Sequence, residues 1–261
     1  MGKIYCFIIM MALAVSCSKS VESGYDLQKA IGGVISLSSE ISLENEPGVK
    51  AETGEQALHY VVEAWTVGKN SVCAFRREFE GSSVDAKIEI MLVPGEYDLL
   101  FWADYGNGNY NTENLTKVSR IIPHQGVVSV SPDAFAAVLR KVYWNGKGIV
   151  DVKLVRPVSK LTVLGKEKFT ESKEVKITYT NLPAVYNVRT EVSSVVDTGN
   201  PITVNYPKTS AGNDVAAEDF LFVPSGANPK VGMTIIVGNV EKSLDELPLK
   251  PNYKVNVTAT L

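Results

Sequence analysis

The sequence predicts an all-β protein, organised as two tandem β-sandwich domains with one short helix in the first. Apolar and polar residues alternate with a period of two in most stretches that look ordered, and the alternation runs to the last residue. Turn-forming residues recur about every ten residues, a spacing typical of sandwiches. Of the 261 residues, 45% are hydrophobic, which is enough to build two cores.

The first residues of the chain have the pattern of a bacterial export signal. Lys3 precedes an apolar run at residues 4–11, and small residues then lead to Cys17. The run is too short to span a membrane as a helix. A cysteine after small residues resembles a lipobox, in which the cysteine becomes a lipidated N-terminus. We therefore expect a lipoprotein signal peptide at residues 1–16, lipid on Cys17 and a tether at residues 17–30. A cleaved signal that releases a soluble protein is the alternative.

Charge and cysteine content exclude two kinds of protein. The net charge is −3 and is spread without long runs, so the sequence does not indicate a nucleic-acid-binding protein. Of the three cysteines, Cys6 leaves with the signal peptide and Cys17 carries lipid, which leaves Cys73 without a partner. The mature chain is therefore expected to contain no disulfide and to depend on packed sheets for its stability.

The N-terminal domain is predicted at residues 31–155. Its first strand is the alternating segment Ile31–Leu43, and a linker that contains Pro and Gly follows at Glu44–Gln56. Further strands are predicted at His59–Trp65, Ala74–Phe79, Lys87–Val93 and Glu96–Ala103. Because Pro94 and Gly95 favour a turn, the last two strands are expected to pair as a tight hairpin with one buried side.

One helix is predicted in this domain, beginning near Ser131. Ser131 suits the N-cap, Pro132 the first turn and Asp133 the positive end of a helix. Apolar residues at helical spacing follow, namely Phe135, Val138, Leu139 and Val142. These side chains are expected to face the core.

The C-terminal domain is predicted at residues 156–261 and reads almost entirely as strands. The predicted strands are Ile149–Leu154 at the boundary, then Val158–Leu164, Glu174–Tyr179, Pro201–Tyr206, Asp219–Val223, Met233–Val237 and Tyr253–Leu261. The last of these alternates cleanly, so the C-terminus is expected to belong to a sheet.

Four segments together resemble the fimbrillin-like lipoproteins of Bacteroidales, close to families of unknown function within that superfamily. They are the aromatic strand Val93–Tyr105, the triplet Asp133–Phe135, the Arg-Pro strand Val155–Leu161 and the closing strand Leu249–Val257. The resemblance implies a lipid-anchored protein with two transthyretin-like β-sandwich domains. It also implies a role in type V pili, whose subunits lose their first strand to a protease and accept a neighbour's strand in its place.

Two segments are therefore candidates for β-strand exchange. The candidate residues are Ile35, Leu37 and Ile41 in the first strand and Tyr253, Val255 and Val257 in the last. Ile31–Leu43 is either a removable strand or simply the first strand of a sandwich. The polymerising relatives are cut after arginine, whereas here the first arginine is Arg76 and the linker offers only Lys50. This difference favours an uncut anchor, tip or accessory subunit, whose partners are other pilus subunits or host and bacterial surface ligands.

A surface glycan-binding lipoprotein that assists an outer-membrane importer is the alternative function. Its binding platform would consist of Trp65, Trp144, Tyr105 and Tyr110, since exposed aromatic rings stack on sugars.

The sequence indicates no enzyme, metal site or cofactor. His59 and His124 stand apart from any catalytic motif, and the loop Asp104–Glu113 offers too few carboxylates for calcium.

The expected location is the outer membrane, with the lipid on Cys17 as the anchor and the chain exposed at the cell surface. Surface lipoproteins of these bacteria often carry several acidic residues after the lipidated cysteine, whereas Glu22 is the single acid in residues 18–22. An orientation towards the periplasm is therefore the alternative.

Overall fold

The computed structural model describes residues 29–40, 42–44, 57–106, 108–121, 133–195, 201–226 and 230–261. Within these ranges the protein has eighteen β-strands and a short 3-10 helix at Leu115–Lys117, which confirms the predicted all-β fold class. No helix in the described ranges is long and apolar enough to cross a membrane. The predicted signal peptide, Cys17, Ile41, Lys50, His124, most of the tether and all of the linker but Glu44 lie outside the described residues.

The first half of the chain builds two sheets that enclose a hydrophobic core. Its strands are β1 (Ile31–Ser39), β2 (Ala57–Thr66), β3 (Cys73–Ser82), β4 (Ala86–Leu92), β5 (Gly95–Asp104), β6 (Tyr110–Asn111), β7 (Val118–Arg120), β8 (Ala134–Trp144) and β9 (Ile149–Leu154). Sheet A has the order β4-β1-β9 and sheet B the order β3-β2-β5-β8. The core between them contains residues of both sheets, including Ile35, Tyr60 and Phe101.

The second half also builds two sheets around a core of its own. Its strands are β10 (Val158–Gly165), β11 (Val175–Thr180), β12 (Val185–Asn187), β13 (Val192–Ser194), β14 (Ile202–Tyr206), β15 (Val215–Phe222), β16 (Gly232–Val237), β17 (Val240–Leu244) and β18 (Lys254–Ala259). Sheet C has the order β15-β10-β18 and sheet D the order β14-β11-β16-β17. Leu161, Ile177 and Ile235 lie in the core between them.

The two halves repeat one strand order. Strands β1, β2, β3, β4, β5, β8 and β9 correspond to β10, β11, β14, β15, β16, β17 and β18. The strand directions agree as well, since β1 is antiparallel to β4 and parallel to β9, as β10 is to β15 and β18. The repeat changes over between Leu154 and Val158, at the predicted domain boundary. Whether each half folds independently stays a prediction.

The remaining short strands join the halves. Strands β6 and β7 follow β5, strands β12 and β13 follow β11, and together they form sheet E in the order β13-β12-β7-β6. A third hydrophobic cluster lies beneath this sheet and contains Trp102, Tyr110, Tyr186 and Phe222. Strand β5 is therefore covered by sheet A on one face and by this interface cluster on the other.

Ion pairs between the halves include two beside the cluster, Arg120 with Asp219 and Arg189 with Asp98. Arg120 Nη2 of β7 lies 2.7 and 2.8 Å from the two carboxylate oxygens of Asp219 in β15. Arg189 Nε donates to Asp98 Oδ2 of β5 at 2.7 Å. Because Arg120 and Asp219 are both almost completely buried, either residue without the other would leave a charge inside the protein.

The predicted helix near Ser131 is wrong, because residues 134–144 form strand β8. Ser131 and Pro132 lie outside the described residues. The first residues of β8 are buried on both faces, with Phe135 in the first core and Ala134 and Ala136 in the interface cluster. A strand covered on both faces loses the period-two pattern, and its apolar run then matches helical spacing by chance. Asp133 forms an ion pair with Arg156.

The predicted hairpin of Lys87–Val93 with Glu96–Ala103 is also wrong. Strand β4 pairs with β1 in sheet A, whereas β5 pairs with β2 and β8 in sheet B. The turn at Pro94 and Gly95 carries the chain from one sheet to the other. The burial patterns agree with two different sheets. Strand β4 is buried on one face only, as in a sheet with one solvated face, while β5 is buried on both faces.

Candidate functional site

Strand β1 occupies the middle of sheet A. It pairs antiparallel with β4 from Ile31 opposite Leu92 to Leu37 opposite Ala86. On its other side it pairs parallel with β9, from Ile35 opposite Ile149 to Ser39 opposite Leu154. Main-chain hydrogen bonds therefore hold β1 along both edges, and its removal would expose the facing edges of two strands.

Two of the predicted exchange residues anchor β1 in the first core. Ile35 and Leu37 are 0% and 1% exposed, while Ile31 and Val34 are 41% and 48% exposed. Complete burial of such a side chain contributes roughly 1.5–3 kcal/mol. The third predicted residue, Ile41, lies outside the described residues.

The beginning of β1 is covered by the indole ring of Trp144. Its Nε1 donates to the carbonyl of Ile31 at 2.8 Å. A Cβ atom on Gly33 would lie 2.7 Å from two ring atoms of Trp144, closer than real Cβ contacts come. Position 33 is glycine because the ring fills the space that a side chain would need.

The end of β1 runs into a buried polar junction. Beyond Ser39, the amide of Glu40 donates to Leu154 at 2.8 Å, and the amide of Glu44 donates to the carbonyl of Asn252 at 2.9 Å. Arg156 Nη1 donates to the carbonyls of Glu40 and Ser42, at 3.2 Å each. The segment after β1 is thus bound to the start of the second half.

Arg156 joins four parts of the chain at this junction. Its Nε and Nη2 donate to the Asp133 carboxylate at 2.8 and 3.0 Å, and its Nη1 donates to Asn252 Oδ1 at 3.1 Å. The guanidinium also lies over the ring of Phe135, 4.9 Å from its centroid. Arg156, Asp133 and Asn252 are all buried. Burial raises the pKa of the Asp133 carboxyl, an effect that the charge of Arg156 opposes.

Sequence reasoning did not identify Arg156 as part of a site. Arg156 was noted only as part of the Arg-Pro strand Val155–Leu161, and Asp133 was predicted to lie at the start of a helix. The contact joins residues 23 positions apart and depends on the pairing of β8, which the sequence pattern does not reveal. The available signal was an arginine in an apolar segment, since a buried cation needs a buried anion.

Strand β18 contains Val255 and Val257 of the other predicted exchange residues and lies at an edge of sheet C. It pairs with β10 alone, so its second edge has no strand partner among the described residues. Val255 is buried in the second core and Val257 packs against it. Tyr253 precedes the strand, where its carbonyl accepts the amide of Lys160 at 2.8 Å and Lys250 Nζ lies over its ring.

The structure does not bring the four rings of the suggested glycan platform together. Trp144 is part of the first core and Tyr110 part of the interface cluster, where it makes an edge contact with Trp102. Tyr105 packs against the first core, and Trp65 Nε1 donates to the buried carboxylate of Glu63 at 2.8 Å. The described residues therefore provide no exposed surface that these rings share.

Two further residues named in the sequence analysis are Asp104, which is hydrogen-bonded, and Cys73, whose thiol is protonated. Asp104 accepts hydrogen bonds from Trp102 Nε1 and the amide of Gly106, each at 2.7 Å. Burial raises the pKa of the Cys73 thiol to about 11, so it is protonated at neutral pH. No group of three His, Cys, Asp or Glu side chains able to hold a metal ion occurs in the described part of the chain.

Comparison with known proteins gives a family and a fold. The model of a family of unknown function, DUF6562, matches residues 28–261. No curated protein matches the sequence. Among solved structures, a protein of Bacteroides ovatus described as an adhesin is 13% identical, with a TM-score of 0.52, over 95% of this chain and 98% of that one.

Two further solved structures match the chain at similar identity. A protein of Bacteroides thetaiotaomicron described as polysaccharide-binding is 14% identical, with a TM-score of 0.52, over 81% of this chain and 78% of that one. The tip fimbrial protein Mfa3 of Porphyromonas gingivalis is 14% identical, with a TM-score of 0.44, over 82% and 81%. At 13–14% identity, the two structures with a TM-score of 0.52 show a common fold.

Proposed function

The chain belongs to DUF6562, a family of unknown function, and we propose that it is a non-enzymatic cell-envelope adhesin that serves as an anchor, tip or accessory subunit of a pilus-like assembly. The observation that carries the proposal is the position of β1. It is an interior strand of sheet A at the start of the described chain, and residues 40–56 separate it from the next strand. A strand placed in this way is suited to exchange between molecules.

Two other observations support an adhesive role at the cell surface. The protein of Bacteroides ovatus that shares the fold along almost its entire length is described as an adhesin. The export signal ending at Cys17 and the aromatic strand Val93–Tyr105 resemble those of fimbrillin-like lipoproteins. We place the protein at the outer membrane, held by lipid on Cys17.

The proposed mechanism is replacement of β1 by an equivalent strand. When β1 leaves, the edges of β4 and β9 that it had paired with are open to a strand from a neighbouring subunit. Main-chain hydrogen bonds on both sides supply affinity, and the cavities left by Ile35 and Leu37 receive two apolar side chains of the incoming strand. Their spacing of two residues places both on the same face of that strand.

The uncut role follows from the basic residues of the chain. No arginine precedes Arg76 in strand β3, and Lys50 is the single basic residue between β1 and β2. The connection at residues 40–56 is long enough for β1 to enter a neighbouring molecule while it stays attached, as happens in domain swapping. Strand exchange therefore does not require proteolysis.

Strand β18 is the second contact in this proposal. Its second edge, which pairs with no described strand, accepts an additional strand. Such a strand gains main-chain hydrogen bonds along one edge only, so we expect this contact to be weaker than exchange at β1.

Mass analysis of the native protein from intact envelopes, combined with a gel of unboiled sample, tests the proposed function. We expect a chain that starts at acylated Cys17 and migrates in a heat-sensitive complex. A chain that starts at Ala51 within a long ladder would instead identify a processed stalk subunit, cut after Lys50. A chain without lipid would contradict the membrane anchor.

A further inference from the structure

The segment that follows β1 is held through its main chain at a fixed distance from the strand. We name the described residues Glu40 and Ser42–Glu44 the exit segment. The carbonyls of Glu40 and Ser42 accept hydrogen bonds from Arg156 Nη1, at 3.2 Å each. These contacts use carbonyl groups, which every residue possesses, so they depend on the length and register of the segment and not on its side chains.

Arg156 is fixed from its other side and cannot follow the segment. Asp133 binds both Nε and Nη2, and Asn252 Oδ1 accepts from Nη1. The rings of Phe135 and Phe220 lie 4.9 and 6.0 Å from the guanidinium. With the exit segment removed, Nη1 loses two of its acceptors in a buried environment, where unsatisfied donors are costly.

The other end of β1 has an independent control of register. Trp144 tolerates only glycine at position 33, because any Cβ atom there would lie 2.7 Å from the ring. A slip that brought Val34 to this place would put its Cβ atom under the ring, and a slip by one residue in either direction would turn Ile35 and Leu37 out of the core. Gly33 and the exit segment therefore fix β1 at two separated points.

We infer that Arg156 is a positioning residue that selects, by length and register, the strand that occupies the β1 position. An occupant must continue past the position of Ser39 and present carbonyls where Glu40 and Ser42 present theirs. A strand that ends at position 39 fills the same apolar cavities but leaves Arg156 without these acceptors. This inference rests on the proposed exchange at β1 and adds the determinant of which strands are accepted.

The test uses the full-length chain with a protease site introduced between residues 45 and 56, cut after folding so that β1 remains in place without a covalent link to β2. Two labelled synthetic peptides, residues 29–44 and residues 29–39, compete for the β1 position, and their release rates are measured. We expect the shorter peptide to leave roughly tenfold faster or more, because each hydrogen bond to a charged group is worth about that factor.

Variants separate this role from a general effect on stability. The double variant Arg156→Met with Asp133→Asn removes the ion pair without leaving either charge unpaired, and it should reduce the difference between the two release rates to the part contributed by the amides of Glu40 and Glu44. Lys153→Met is the matched control, because Lys153 Nζ binds the Glu40 carboxylate at 2.8 Å and not the carbonyl that Arg156 binds. This control should preserve the difference between the peptides.

The outcomes distinguish the inference from the proposal beneath it. Equal release of the two peptides from the wild-type chain would overturn the role of Arg156 while leaving strand exchange intact. A difference that is undiminished in the double variant would overturn it as well. Failure of both peptides to replace β1 would overturn strand exchange at this position and the selection by Arg156 with it.

Discussion

Strands β1 and β10 hold the same place in the two halves of the molecule but are held there differently. Each is the central strand of a three-stranded sheet, antiparallel to one neighbour and parallel to the last strand of its half. Strand β10 is buried along most of its length, and only three residues separate it from β9. Strand β1 has Ile35 and Leu37 as its fully buried side chains, and residues 40–56 separate it from β2.

The position of a strand in the fold is therefore not enough by itself to make the strand exchangeable. Loss of β10 would disrupt the second core and the junction at Arg156 together, because the chain passes from one directly into the other. Loss of β1 removes Ile35 and Leu37 from the first core, whereas no residue of β1 pairs with sheet B or belongs to the interface cluster. We therefore expect β1 and β10 to respond differently to matched substitutions.

Removal of Arg156 is expected to have the largest effect, because the junction contacts both strands. Arg156→Ala leaves the buried Asp133 carboxylate without its cation and should lower the free energy of unfolding by about 3–5 kcal/mol. Lys153→Ala removes an exposed ion pair beside the same segment and should cost no more than about 1 kcal/mol. Urea unfolding followed by circular dichroism measures both, and equal effects would contradict a special role for the junction.

Matched truncations in β10 and β1 test the comparison directly. Leu161→Ala and Leu37→Ala each create a cavity at a fully buried position, and such changes cost about 2–5 kcal/mol where the whole fold depends on the site. We expect Leu161→Ala to lower the free energy of global unfolding by that amount. Leu37→Ala should act mainly on the release of β1, detected as faster proteolysis between residues 45 and 56. The same shift in global unfolding with no change in proteolysis would count against the account.

Adjacent glycines in β1 offer a smaller and more local test. Gly33→Ala drives a methyl group against Trp144 and should destabilise the β1 position by about 1–3 kcal/mol. Gly32→Ala meets its nearest atom, Glu89 Oε1, at 3.4 Å and should be tolerated. Thermal unfolding and the release rate of β1 after cleavage measure the difference. Similar behaviour of the two variants would show that Trp144 does not set the register.

The smallest expected effect concerns the response of buried tyrosines in the second half to pH. In the second half Tyr179, Tyr206 and Asp219 form a hydrogen-bonded chain, and burial raises the pKa of both tyrosines above the ordinary value of 10.0. The unfolded chain then loses these protons first, so stability is complete below pH 10 and falls as the pH rises above it. Each such group contributes about 1.4 kcal/mol per pH unit.

Tyr206→Phe removes one of the two protons from this balance. The slope of unfolding free energy against pH should become shallower between pH 10 and 11 by the contribution of about one group. An unchanged slope would show that Tyr206 ionises normally in the folded protein.

The sequence pattern located strands best where one face of a sheet is solvated. Strand β4 alternates regularly and was predicted within one residue at each end. Strand β8 was taken for a helix because both of its faces are covered at its start, which removes the alternation. The two- and three-residue strands β6, β7, β12 and β13 are too short to show any period. Pairing was not readable either, since β4 and β5 are adjacent in sequence but belong to different sheets.

The sequence predicted the part of the candidate site in which apolar and polar residues alternate. Ile35 and Leu37 were identified because alternation marks an inward face. The roles of Arg156 and Trp144 depend on contacts with segments more than twenty residues away, which no local pattern encodes. Single charged or aromatic residues carry no periodic signal, so their partners became apparent only from the packing of β8 and β9 around β1.

Hydrogen exchange of the full-length chain, followed by mass spectrometry across a range of denaturant concentrations, tests whether β1 opens separately from the rest of the fold. We expect the amides of β1 to exchange through a local opening that costs less free energy than global unfolding. The amides on the facing edges of β4 and β9 should exchange through the same opening. The amides of β10 should exchange only when the whole protein unfolds. Exchange of β1 and β10 with the same free energy of opening would contradict the claim that β1 alone is built to be replaced.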